Sequence, residues 1–330
     1  MRSLGLGVEG FQPHSLIVDT RGIYYDATRP SDLEKLILTA DFSPTLLSRA
    51  SKAIALLRHY RLSKYNHAPD RPTLPTTDKK RVLVVDQTFG DPSVSYGAAT
   101  AATFIEMLDS ALAENLDAEI VVKIHPDVIA GKKQGYLLEA ARARHCRVLS
   151  DDINPWALFD RVDRVYVVTS QLGFEALLAG LPVSCFGLPF YAGWGLTDDR
   201  QSCPRRAVSR TLEQLFAAAY LRYCRYANPY TLERCELEDT IALIADQKQQ
   251  RDRLQGGWLG VGFSGWKRRF VGGFLGSEAP IRFQSNPALA IEQHRPSERL
   301  LGWSSRISAE LEQCCAAKNI PLWRMEDGFI

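Results

Sequence analysis

The sequence predicts an α/β protein built on doubly wound parallel sheets, and three observations carry that expectation. Short β-branched apolar runs recur between residues 81 and 186 with helical patterns between them. The same alternation returns after residue 280. Turn and cap residues punctuate the joins: Gly180 closes one helical pattern and Asn154-Pro155 opens another. Elements of these lengths in regular alternation make βαβ units, whose right-handed crossovers set the strands parallel and cover both faces of the sheet.

Taken in order, residues 15–19 and 22–25 flank Thr20-Arg21 and read as a hairpin. A helix capped by Ser31, with Glu34 three residues on, follows, and a longer one spans about residues 46–60. Residues 66–80, rich in Pro and Asp, form a linker into the central region. There, 81–86 is the first strand, and the helix 98–114 places Ala102, Ile105, Leu108 and Leu112 at helical spacing. Residues 119–124 make the next strand, which ends at His125-Pro126. A helix near 134–144, a strand at 147–149, a short helix after Pro155, a strand at 164–168, a helix at 172–179 and a strand at 182–186 complete the alternation. Helices at 211–225 and 237–254 close this domain. Gly256, Gly257, Gly260, Gly262 and Gly265 then read as a linker. Beyond it, strands at 280–283, 300–303 and 321–325 alternate with helices at 287–294 and 307–318.

Composition bounds the rest. A chain of 330 residues exceeds what one hydrophobic core usually serves and suggests roughly two domains. With 45% hydrophobic and 24% charged residues it is neither disordered, collagen-like nor a coiled coil. Forty basic against thirty-eight acidic side chains leave +2, too little to neutralise nucleic-acid phosphates. No segment approaches ~18 uninterrupted apolar residues and the first residues begin no signal-peptide core, so the chain is expected in the cytosol unless something docks it on a membrane. The seven cysteines form no CxxC and lack metal-site or disulfide spacing, and are expected as reduced, small hydrophobes.

Parallel sheets bind ligands beyond the carboxyl ends of their strands. That singles out Asp86, His125, Thr169-Ser170 and Gly187. A strand-end histidine can donate to a phosphate oxygen or help a leaving group depart, or it can simply be satisfied in a turn that Pro126 fixes. Thr169-Ser170-Gln171 runs from a strand end into a helix, with Ser170 as N-cap and free amides that suit an anion. Glu175 lies in the first turns, to accept from ribose hydroxyls or only to serve the helix dipole. Asp86 has the chemistry of a nucleophile, base or ligand, against a loop cap. Asp151-Asp152 and Asp198-Asp199 read as solvated loop charge, and nothing forms a metal-binding motif. Residues 186–197, with three glycines and four aromatic side chains, suit a sugar or base pocket or a plugged interface. Residues 266–270 (WKRRF) suit an anionic membrane surface or a solvated helix start.

Together these stretches resemble the KpsC/LpsZ-type capsule polysaccharide family, the retaining β-Kdo glycosyltransferases. The matching strings are residues 19–29 (DTRGIYYDATR), 63–66 (SKYN), 84–91 (VVDQTFGD), 122–128 (VKIHPDV), 168–180 (VTSQLGFEALLAG) and 186–197 (FGLPFYAGWGLT). The resemblance implies a GT-B-like fold: two Rossmann-like lobes with a parallel sheet in each. It implies an acceptor-side lobe in part over residues 1–75 and a CMP-sugar lobe over 76–255. Residues 256–330 then form a βαβαβ segment that completes the first lobe or belongs to a following module. It further implies β-linked Kdo transfer from CMP-Kdo to a phosphatidylglycerol-type glycolipid in capsule linker synthesis. The reaction would use no metal or other cofactor, at the cytoplasmic face of the inner membrane beside the export machinery, and no nucleic acid.

By the same resemblance, Lys123, His125, Pro126, Thr169, Ser170, Gln171 and Glu175 hold the donor. Asp86 is the nucleophile of a double displacement, and Glu326 or Asp327 of the acidic motif is the general acid/base. In the family the acidic motif precedes an Arg-Ser-Gly start like that at residues 2–7, so both termini of this chain look cut from something longer. The alternatives are a non-catalytic capsule assembly or export factor, and a GT-B enzyme for another nucleotide sugar.

Overall fold

A computed structural model of the chain describes residues 13–71, 74–275 and 281–329, which divide into two units between Ala245 and Asp246. In the first unit, strand β1 (Ser15–Ile17) leads to helices α1 (Asp32–Thr39) and α2 (Pro44–His59). Strands β2 (Arg81–Val85), β3 (Glu119–Lys123), β4 (Arg147–Leu149), β5 (Arg164–Val167), β6 (Val183–Cys185) and β7 (Asp198–Asp199) form a six-stranded sheet in the order β4-β3-β2-β5-β6-β7. Every neighbouring pair in it is parallel. Helices α3 (Pro92–Tyr96), α4 (Ala101–Glu114), α5 (Pro126–Ile129), α6 (Leu138–Ala143), α7 (Pro155–Phe159) and α8 (Leu172–Ala179) lie between the strands. Helix α9 (Leu212–Phe216) continues as a π-helical stretch, Ala217–Tyr223, into β8 (Cys224–Ala227), β9 (Arg234–Cys235) and α10 (Leu237–Leu254), within which the division between the units falls.

The sequence of β2, RVLVV, is buried at all five positions because the sheet is covered on both faces. Alternate side chains serve opposite sides, as the two-residue period of a strand requires. Leu83 and Val85 join Val165, Phe174 and Trp156, while Val82 and Val84 join Phe104, Met107 and Leu108 of α4. Burying each such side chain contributes roughly 1.5–3 kcal/mol, and Leu83→Ala would cost about 2–5 kcal/mol. Local signals end the helices where expected. Ser31 Oγ accepts from the Glu34 amide at 3.0 Å, Asn154 Oδ1 accepts from the Trp156 amide at 2.9 Å, and Gly180 closes α8 at φ +87°.

Three expectations need correction. Residues 15–25 form no hairpin, since β1 pairs antiparallel with β8 instead. Asp19 prevents the return strand: its Oδ1 accepts from the amides of Arg21 and Gly22, both at 2.9 Å, and bends the chain there. The helix expected over 211–225 gives way to a π-helical stretch and then to β8 at Cys224. The glycine-rich stretch at Gly257–Val261 is an interior strand of the second unit's sheet rather than a linker.

The segment before residue 71 packs with the sheet. Leu33, Ile37, Ala50, Ala53 and Ile54 share one core with Leu83, Val165 and Phe174. In the second unit, β10 (Gly257–Val261), α11 (Val271–Leu275), β11 (Ile281–Gln284), α12 (Pro287–Glu292), β12 (Glu298–Trp303), α13 (Ala309–Ala317) and β13 (Leu322–Met325) build a parallel sheet in the order β11-β10-β12-β13. Trp258, Leu259 and Val261 of β10 are buried. Gly260 is required beside them, because a Cβ there would lie 2.7 Å from the Phe283 ring. The chain thus has the expected α/β, GT-B-like class, with a Rossmann-like parallel sheet in each unit.

Candidate functional site

The first sheet changes winding direction between β2 and β5. The chain runs from β2 out through β3 and β4 to one edge, and from β5 through β6 to β7 at the other. Connections leaving the two central strands therefore diverge and open a crevice at their carboxyl ends. A cavity of about 400 Å³ lies there, walled by Asp86 and Gln87 after β2, His125 after β3, Asp152 after β4, and Thr169 and Ser170 after β5.

Thr169 is locked in place. Its amide and hydroxyl both donate to Gln87 Oε1, at 3.0 and 3.1 Å. Gln87 Nε2 in turn donates to Asp91 Oδ2 at 3.2 Å and Ser93 Oγ at 3.3 Å. The Thr169 methyl packs on Gly187, where a Cβ would come within 2.8 Å of it. Ser170 is differently placed. Its Oγ accepts from the Leu172 amide at 3.3 Å, at the start of α8 with Gln171 in the cap position. A hydroxyl that accepts still has its hydrogen to donate. Its carbonyl takes a 2.5 Å hydrogen bond from Tyr191 Oη.

His125 Nδ1 accepts from the Asp127 amide at 3.1 Å, closer than the Asp127 carboxylate at 3.7 Å. An accepting Nδ1 puts the hydrogen of the neutral ring on Nε2. Pro126 is the first residue of α5. Lys123 Nζ donates to the carbonyls of Asp151 at 2.9 Å and Ile124 at 3.2 Å. Burial pushes its pKa down to about 8, against the pull of Asp152 and Asp151, so at neutral pH it remains mainly cationic.

Two buried carboxyls face the same crevice. Burial raises Asp86 to about 6 although the amides of Tyr136, Leu137 and Gln87 all donate to it. Burial raises Glu175 to about 7, opposed by the Lys64 amide, which donates to Oε1 at 3.0 Å. Asp152 has a role beyond the solvated loop charge expected of it. Its side chain is about half exposed, as expected, but it also borders the cavity, with Oδ2 3.1 Å from His67 Nε2, and that partner first of all holds it below the usual carboxylate range. Asp199 likewise is half-buried, accepting from the Gly193 amide at 2.8 Å and Thr197 Oγ1 at 2.6 Å. In the 186–197 loop, Phe190 and Tyr191 wall the cavity while Trp194 is buried in the core. Arg206 pins that loop by donating to the carbonyls of Pro189 at 2.6 Å and Ala192 at 2.8 Å.

The cleft thus gathers Asp86, Lys123, His125, Thr169, Ser170, Gln171 and Glu175. Glu326 and Asp327 belong to the second unit. Glu326 Oε2 accepts from the Ser305 amide at 2.9 Å, and Asp327 Oδ2 lies 3.7 Å from Lys267 Nζ, which sits 3.0 Å from the centre of the Trp303 ring. Burial raises Glu326, but the Ser305 and Asp327 amides outweigh it and leave its pKa lowered. Nearby, Lys267–Arg269 is a single 3₁₀ turn with Trp266 exposed and its ring 5.2 Å from that of Phe270. Tyr24, Lys64, Tyr65 and Gln87 also wall the cleft and were not singled out from sequence. Their only signal was membership of the matching strings. Among the described residues no three His, Cys, Asp or Glu side chains converge as metal ligands, and no helix is long and apolar enough to cross a membrane.

Comparison with known proteins gives a consistent picture. Residues 2–226 match the family described as "Capsule polysaccharide biosynthesis protein". The chain is 47% identical over 343 residues to the capsule polysaccharide modification protein LipA of Neisseria meningitidis, covering 100% of this chain and 49% of LipA. It is 43% identical over 252 residues to the lipopolysaccharide-processing protein LpsZ of Rhizobium meliloti, covering 75% of this chain and 57% of LpsZ. The chain spans about half the length of these curated relatives. Among solved structures it is similar to the KpsC beta Kdo 2,4 transferase of Thermosulfurimonas dismutans, with TM-score 0.70, 49% identity and coverage of 74% of this chain and 77% of that one. The beta Kdo 2,7 transferase of the same KpsC matches with TM-score 0.61, 39% identity and 75% coverage of both chains.

Proposed function

Because the chain belongs to the capsule polysaccharide biosynthesis family, we propose that its first unit holds CMP-Kdo and that the chain takes part in β-Kdo transfer to a glycolipid acceptor. One observation carries the reading. At a single sheet edge the fold collects a histidine with its hydrogen on Nε2, a largely charged Lys123 and a Ser170 hydroxyl at the start of α8. Donors of these kinds, with the positive end of a helix dipole, suit a phosphate monoanion or dianion.

In this reading His125, Lys123 and Ser170 hold the CMP phosphate and stabilise it as it leaves, while Thr169 shapes the turn that presents Ser170. Glu175 faces the ribose, and Phe190 with Tyr24 offers aromatic surface to the sugar. A retaining transfer proceeds by two displacements. A carboxylate attacks the anomeric carbon of Kdo as CMP departs, and the acceptor oxygen then displaces that carboxylate after losing its proton to a base. Asp86, ionised above about pH 6, is the nucleophile in this scheme, and Glu326 or Asp327 is the acid/base. The same reading places the reaction at the cytoplasmic face of the inner membrane, with the capsule export machinery as partner.

Incubating the chain with CMP-Kdo and a Kdo-bearing glycolipid tests the proposal, with the new glycolipid read by mass spectrometry. Product formation supports it. CMP binding without product would reduce the chain to a donor-binding assembly factor, and preference for UDP over CMP would assign another nucleotide sugar.

A further inference from the structure

From the phosphate-binding end the cavity extends along the strand ends to β4, where its wall changes character. Ile153, Pro155 and Leu158 supply apolar surface, Tyr65 faces them from the 63–66 segment, and Asp152 is the carboxylate among them. The wall is firmly built. Asn154 Nδ2 donates to the Arg61 carbonyl at 3.0 Å and Trp156 Nε1 to the Leu62 carbonyl at 2.8 Å, tying α7 to the chain that carries Tyr65. Asp152 is held in turn by His67, whose Nε2 lies 3.1 Å from Oδ2 and whose ring centre is 6.1 Å from that of Tyr65. An ionised carboxylate is an acceptor only.

An apolar slot with an aromatic wall and one oriented acceptor suits a flat heterocycle bearing an amino group. We propose that Asp152 selects the base of the nucleotide donor: its carboxylate accepts a hydrogen bond from an exocyclic amine, so the site favours cytosine over uracil. This rests on the reading of the cleft as a CMP-sugar site. Cytosine presents a donor at N4, where uracil presents a carbonyl oxygen. Exchanging them sets two acceptors against each other; the Asp152 side chain is about half exposed, so the discrimination is that of one charge-assisted hydrogen bond. His67 is a positioning residue, acting only through Asp152.

The test titrates CMP and UMP into the full chain and into Asp152→Ala and His67→Ala, with thermal melting of each variant. The intact chain should prefer CMP by about 100-fold. Asp152→Ala should melt normally, lose most of its CMP affinity, bind UMP at least as well as the intact chain does and bring the two within about threefold. His67→Ala should weaken CMP by about tenfold, as expected for loss of orientation rather than of the acceptor. An unchanged CMP/UMP ratio in Asp152→Ala overturns the inference, as does equal affinity of the intact chain for both nucleotides, and in either case the cleft remains a nucleotide site. Failure of the intact chain to bind either nucleotide overturns both readings.

Discussion

Thr169 commits both of its hydrogen-bond donors to a single acceptor, Gln87 Oε1, at 3.0 and 3.1 Å. The link crosses the crevice, since Gln87 follows β2 and Thr169 follows β5. It fixes the turn from which Ser170 reaches the cavity. Truncating Gln87 to alanine leaves the buried Thr169 amide without its acceptor, at about 1–3 kcal/mol, while the hydroxyl still has Ser93 Oγ at 3.1 Å. Gln87→Ala should therefore melt lower and bind CMP about tenfold more weakly by calorimetric titration. Unaltered affinity would show that the Ser170 turn holds itself.

Ser170 and His125 are assigned to the phosphate, so their loss should be felt only by ligands that carry one. Ser170→Ala and His125→Ala should each lower CMP affinity about tenfold or more, the range for a hydrogen bond to a charged group. Affinity for cytidine should hardly change. Equal losses for CMP and cytidine would move both residues away from the phosphate.

Glu175 makes stability depend on pH in a direction opposite to most carboxylates. Its pKa rises from 4.5 to about 7 on folding. The folded chain therefore keeps a proton that the unfolded chain releases between about pH 4.5 and 7, and stability from this group falls as pH rises through that window. The full effect is about 3 kcal/mol. Glu175→Gln keeps an oxygen for the Lys64 amide and removes the ionisation. Denaturant unfolding at pH 5 and pH 8 should show the wild type losing ground to Glu175→Gln by roughly that amount. Parallel pH profiles would contradict a buried, proton-holding Glu175.

Arg206 supports the cavity from behind. It is buried, donates to two carbonyls of the 189–192 segment, and places Nε 3.3 Å from Glu34 Oε2. Removing one partner of a buried charge pair typically costs 3–5 kcal/mol. Because Arg205 also pairs with Glu34, at 2.7 Å, Arg206→Ala should sit at the low end, about 3 kcal/mol in chemical denaturation. Since Phe190 and Tyr191 ride on the same segment, donor affinity should fall with it. Wild-type stability would mean the loop is held by its aromatic packing alone.

How much of this was legible in the sequence depended on whether the physical cause was local. The strands 81–85 and 164–167 declare themselves by β-branched runs, His125 and Ser170 by their place just after strand ends, and Glu175 by its place in the first turns of the helix that follows. Strand β10 was hidden, because Gly257 and Gly260 read as flexibility when their purpose is room for neighbouring side chains, visible only once Phe283 lies alongside. The partner of β1 lies about 200 residues away in β8, which no turn signal near residue 20 reveals. Asp152 read as solvated, and it is exposed, but its place beside the cavity was not legible from its polar neighbours in sequence. Its character comes from His67, brought to it by the packing of the 61–67 segment on α7. Gln87 carries no chemical signature of its own, and its importance is purely geometric.

The central claim is that the cleft at the β2/β5 switch point holds the donor nucleotide by its phosphate, and a crystal structure of the chain with CMP tests it most directly. The account predicts a phosphate oxygen within hydrogen-bonding distance of Ser170 Oγ and His125 Nε2, with the base toward Asp152. A nucleotide bound elsewhere, or one whose phosphate points away from Ser170 and His125, would contradict it.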